Sequence, residues 1–167
     1  MAAFEYRQAQ EIRDTFKRHG VKYLFIGKSG AILLGYPDTT QDADLFIEKN
    51  ASNCEMLVQS LLDIGFQLTD QQAQEVRREK GIVQLKNGPF DLDLIFAPEG
   101  IENFDDAWKR RVDIEGFPVC DIGDIVIEQA HNESAEGQRI AAPAAFIPQL
   151  AEKPEVMKAI HSMAPAC

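Results

Sequence analysis

Asp42 and Asp44 stand two residues apart in GYPDTTQDADLFIE and pose the first chemical question. On a strand, residues at this spacing rise by about 6.5 to 7 Å and point the same way, so their carboxylates can converge on one or two hard divalent ions. A third carboxylate, Asp93 in FDLDLIF, would complete an oxygen ligand set suited to Mg²⁺ or Mn²⁺ and leave room for water and phosphate. Such a set serves transfer from a nucleoside triphosphate: the attacking hydroxyl loses its proton more easily, and the leaving pyrophosphate is neutralised. Asp42, Asp44 and Asp93 are therefore the candidate catalytic and metal-ligating residues.

Upstream, YLFIGKSGAILLG sets Gly27-Lys28-Ser29-Gly30 between two apolar runs. A P-loop would need glycine five positions before Gly27, and Lys22 stands there. The quartet instead reads as a turn leading into a short buried helix over 31–34, whose N–H groups would face phosphate. Gly27, Ser29 and Gly30 are small enough for close backbone approach, and Lys28 can offer a point charge. Thr40, on the approach to the aspartate strand, joins these as a nucleotide-side residue. For the aspartates the plain alternative is a solvated strand face; for Lys28 it is an ordinary turn lysine.

Other elements must position these groups. Periodicity predicts a helix over 4–19 stopped by Gly20, a strand over 21–26, and a strand over 42–48 with Asp42 and Asp44 on one face. Ser52 and Glu55 have capping-box spacing ahead of a helix that ends at Gly65. Residues 66–68 read as a short strand, and 70–80 as a loop or exposed helix. Strands over 81–86 and 90–96 flank Asn87-Gly88, a hairpin signal. A helix over 103–110, a small hairpin turning at Glu115-Gly116 and a helix over 122–130 follow. The expected organisation is one domain, with residues 1–135 carrying the fold and 136–167 an irregular segment with a short helix over 155–163, packed on the same domain.

The 167-residue chain has a net charge of −10, which argues against broad DNA binding or any broad nucleic-acid contact through the backbone. Its amino terminus lacks a signal-peptide core and no stretch approaches a membrane span, so no membrane partner is expected. Three cysteines without CxxC spacing and three scattered histidines point to reduced thiols, a cytoplasmic setting and no zinc site.

The order GKSG, GYPDTTQDADLF, FDLDLIF resembles the nucleotidyltransferase superfamily, and within it the small bacterial proteins related to the AbiEii toxin group. The resemblance runs from about Val21 to Ile125. It implies an α/β (α+β) fold with a small mixed β-sheet flanked by helices, and Mg²⁺-dependent transfer of a nucleoside monophosphate from an NTP. It also implies Asp42, Asp44 and Asp93 as metal ligands, and Lys28 and Ser29 as phosphate contacts. The acceptor it suggests is RNA, such as tRNA, or protein, with an antitoxin as a partner. Two rivals stand beside this. One is a catalytically silent nucleotide-binding or interaction module, motivated by a late helix, IVIEQAHNESAEGQR, in which Arg139 is the available cation. The other is a homodimeric scaffold joined through AAPAAFIPQL.

Overall fold

The structure is a computed structural model and describes residues 4–131. The segment 136–167, its expected helix, Arg139 and AAPAAFIPQL lie outside the described residues. Helix α1 (Tyr6–His19) is capped by Gly20 at φ 74°, as its position after the last apolar turn predicts. Strand β1 (Tyr23–Ile26) follows, then α2 (Gly27–Leu33), β2 (Asp42–Ile47) and α3 (Ala51–Ile64). Next come α4 (Asp70–Arg77), β3 (Ile82–Leu85), β4 (Asp91–Ile95), α5 (Phe104–Arg110), β5 (Val112–Ile114), β6 (Phe117–Val119) and α6 (Ile122–His131).

The six strands form one mixed sheet in the order β3-β4-β2-β1-β6-β5. Pairing is antiparallel for β3/β4, β1/β2 and β5/β6, and parallel for β2/β4 and β1/β6. Alternation along the strands sorts side chains onto two faces. On one, Tyr23, Phe25 and Phe117 meet in edge contacts, and Phe16 of α1 packs on Tyr23. Helix α3 packs against α1 there. The register Phe25↔Leu45 places Ala43, Leu45 and Ile47 on this same face. The opposite face carries Asp42, Asp44 and Phe46; α2 lies over β1 and β2 there, and Phe104 of α5 packs edge-on against Phe46. The expected α/β architecture is thus the observed one.

Local expectations differ from the structure in several places. Gly27 to Gly30 is not a turn ahead of a helix but the first turn of α2 itself. Helix α3 is capped by Asn50, whose side chain accepts from the Asn53 N–H, rather than by Ser52. Residues 66–68 form no strand, and β3 and β4 complete that edge of the sheet without them. Residues 70–77 take the helical one of the two expected states, with a Thr69/Gln72 capping box supplying what apolar periodicity did not. Asn87-Gly88 is not a two-residue turn: neither residue has positive φ, and the connection runs over residues 86–90. Gly88 has another use, since a Cβ there would lie 2.2 Å from the Phe66 ring.

Asn53 ties three elements together. Its amide oxygen accepts from the Lys22 N–H at 2.8 Å, and its amide nitrogen donates to the carbonyls of Lys22 and Glu48 at 3.0 Å each. The start of β1 and the end of β2 are thereby fastened to the first turn of α3. Asn53→Ala removes these three part-buried hydrogen bonds, leaving the Lys22 N–H and the Glu48 carbonyl without the Asn53 side chain, and should cost about 1–3 kcal/mol. A lowered denaturant midpoint at unchanged m-value would register the loss.

Candidate active site

The aspartates meet because β2 and β4 run parallel in a fixed register, Asp42↔Asp91 and Asp44↔Asp93. In both strands the intervening residues Ala43, Leu92 and Leu94 are buried apolar core, so the register cannot slip by one without exposing them. Asp42 and Asp44 are both buried, and Asp93 is largely so. Adjacent strands lie about 4.8 Å apart, so Asp44 and Asp93 are forced into neighbouring places.

Two residues of α2 shape the space around Asp44. Gly27, at φ 63°, lies so close that a Cβ there would sit 2.3 Å from the Asp44 carboxylate oxygen Oδ2. The carboxylate fills the volume that any side chain would claim. Ser29 is buried, and its Oγ donates to the Ile26 carbonyl and accepts from the Asp44 N–H, both at 3.0 Å. Its hydroxyl thus pins α2 to β2 behind Asp44. Gly30 lets α2 approach β1, because a Cβ would lie 2.9 Å from the Phe25 carbonyl. Lys28 points its ammonium at Asp38, 2.8 Å away. Thr40 Oγ1 donates to the Asp42 carbonyl at 3.2 Å, and the Thr40 carbonyl accepts from the Phe4 N–H. The structure therefore brings Asp42, Asp44, Asp93, Gly27 and Ser29 together, with Lys28 in the first turn of α2 and Thr40 within the 34–41 loop.

Burial pushes the Asp44 carboxyl well above the usual carboxylate range, reinforced by the charges of Asp93, Glu128 and Asp42. Burial raises Asp93 as well, against the pull of the Lys86 ammonium. Lys86 is the cation at the cluster: its Nζ is 3.0 Å from Asp42 Oδ2 and 3.8 Å from Asp93 Oδ1. The buried Asp93 Oδ1 has no hydrogen-bond partner. Among the described residues no three His, Cys, Asp or Glu side chains stand ready to hold an ion. The donors nevertheless fit a hard divalent cation in kind: carboxylate oxygens, one of them buried and unsatisfied, crowded enough to oppose their own ionisation.

Two members of this cluster, Lys86 and Glu128, were not singled out by sequence. The register Gln84↔Asp93 and Leu85↔Leu92 was the available signal for Lys86, because one more step sets it opposite Asp91 and diagonal to Asp93. Glu128 is a buried acid in the apolar helix IGDIVIEQAH, and its oxygen accepts from the Gln129 side chain at 2.8 Å. A cavity of about 470 Å³ beside Phe46, Glu48 and Phe104 lies beyond the aspartates, not over them.

Two outcomes follow. Asp44→Asn should stabilise the metal-free protein at neutral pH by about 1–2 kcal/mol, since it removes a carboxylate that burial and three neighbouring acids oppose. Because the folded-state value is raised, the wild-type penalty is full above it and fades as pH falls toward the ordinary value near ~3.9. Thermal melts of both proteins across pH 4–8 should therefore converge at the acid end. Gly27→Ala should lower stability by about 1–3 kcal/mol through positive φ and the clash with Asp44, and the Asp44→Asn background should not rescue it, because Asn keeps the same volume.

No protein-family model and no curated protein sequence matches the chain. Its fold is nevertheless that of a solved nucleotidyltransferase. The structure of the lincosamide antibiotic adenylyltransferase LnuA with lincomycin bound matches 99% of this chain and 100% of its own, with a TM-score of 0.52 and 16% sequence identity. The chain adopts a nucleotidyltransferase-type fold.

Proposed function

We propose that this protein is a nucleotidyltransferase that moves a nucleoside monophosphate from an NTP to a nucleophilic acceptor. The observation that carries the reading is the parallel β2/β4 register, which sets Asp44 beside Asp93 and holds Asp42 one alternation away. Asp42, Asp44 and Asp93 would hold Mg²⁺ or Mn²⁺. Bound there, the ion would supply charge to the triphosphate and acidify the attacking group. The acceptor oxygen forms a bond to the α-phosphorus, the bond from that phosphorus to the bridging oxygen breaks, and pyrophosphate leaves. Gly27 and Ser29 fix the direction of Asp44, while Lys28 and Thr40 lie on the nucleotide side.

For the acceptor, the AbiEii resemblance suggests RNA or protein, and the fold match to a lincosamide antibiotic adenylyltransferase suggests a small molecule. A net charge of −10 favours an acceptor other than RNA. The silent-module reading draws on one observation: Lys28 and Lys86 are both engaged by internal carboxylates, Asp38 and Asp42.

The test offers each α-labelled NTP with Mg²⁺ to total RNA, lysate protein and a panel of hydroxylated small molecules that includes lincomycin. Label should reach one acceptor class, and Asp42→Asn and Asp44→Asn should each reduce transfer by at least about 100-fold. Metal-dependent NTP binding without transfer would establish the silent module instead. If the protein neither binds nor transfers, the nucleotidyltransferase reading is wrong.

A further inference from the structure

Lys86 is the feature of the cluster that a carboxylate-metal site does not require. It follows β3 on the edge of the sheet, and its side chain is half exposed, yet its ammonium is turned inward onto Asp42 and toward the unsatisfied oxygen of Asp93. An edge lysine left to itself would keep its charge in water. Here two buried carboxylates draw it in, and its flexible stem lets it reach them from the 86–90 connection.

We propose that Lys86 is a built-in counter-ion, seated between Asp42 and Asp93 in the metal-free protein, which a divalent cation must displace. The inference rests on the reading of the three aspartates as a divalent-ion site. Its physical basis is charge balance at short range. Buried acids side by side repel strongly in a medium of low dielectric, and a single ammonium at 3.0 and 3.8 Å relieves part of that repulsion. A divalent ion carries twice the charge and takes direct oxygen bonds, and an ammonium seated this close to Asp42 Oδ2 and Asp93 Oδ1 repels it by like charge. Lys86 thus steadies the empty site and weakens its grip on metal by the same contact. Once released, its ammonium is left beside the place where the NTP phosphates would gather.

The test uses the full chain stripped of metal and titrated with Mn²⁺ alone, free Mn²⁺ being read by electron paramagnetic resonance. Lys86→Met should bind Mn²⁺ about tenfold more tightly than wild type, and its metal-free form should melt at a lower temperature that added Mn²⁺ restores. Equal or weaker Mn²⁺ binding by Lys86→Met overturns the proposal. Should that variant fail to fold without metal, wild type decides: brief acetylation followed by mass spectrometry should label Lys86 more with saturating Mg²⁺ than without, and unchanged labelling overturns it. Asp42→Asn separates this from the underlying reading. If wild type binds no Mn²⁺, or Asp42→Asn binds it equally well, the aspartates are not a divalent-ion site and both inferences fall. If binding depends on Asp42 but is indifferent to Lys86, only the counter-ion inference fails.

Discussion

Parallel pairing of two strands, each with an Asp-x-Asp repeat, is the constraint on which this molecule turns. Main-chain hydrogen bonds between β2 and β4 hold Asp44 against Asp93 whether or not their charges agree, and the apolar residues between the aspartates oppose a slip of one residue. Repulsion between buried acids is therefore built in, and its surroundings are arranged to contain it. Ser29 fastens the Asp44 backbone, Gly27 yields the volume its carboxylate fills, and Lys86 offers charge from the sheet edge. Stability is given up locally and recovered in the aromatic core on the other face, where Phe16, Tyr23, Phe25 and Phe117 interlock.

The period-2 alternation made the aspartates legible, because it is a local property of a strand and survives any tertiary arrangement. Asp42, Asp44 and Asp93 could be placed on faces from spacing alone. Where α2 begins could not, since Gly27 and Gly30 are poor helix formers and enter a helix only because the sheet and Asp44 demand close approach. The capping role of Asn50 over Ser52 depends on how the chain leaves β2. Asn87-Gly88 carries a local turn preference that the structure does not use, and the closeness of Gly88 to Phe66, distant in sequence, could not be read locally. Ser29 reads from sequence as a phosphate contact, and the tether it forms in the structure could not be seen there, since its hydrogen-bond partners are 3 and 15 residues away. Lys86 and Asn53 also act across the sheet, on Asp42 and Lys22, which are 44 and 31 residues away.

At 16% identity to LnuA, what the two chains share is an arrangement of elements. Function has to be argued from the site, and the site here is described by its own register, burial and charges. The acidity of the chain bears on partners and not on fold.

Gly27 and Asp44 claim the same few cubic ångströms, and this has a bearing on how the sequence can drift. A chain with no use for the carboxylate would gain by losing it, and once it is gone a larger residue at position 27 loses its chief steric objection. Change at the two positions then favours that order over the reverse, since filling position 27 first adds a collision with Asp44 to the strain of its positive φ. A substitution at 44 is thus the first irreversible-looking step in the decay of such a site, and a filled position 27 its later scar. This sequence carries neither.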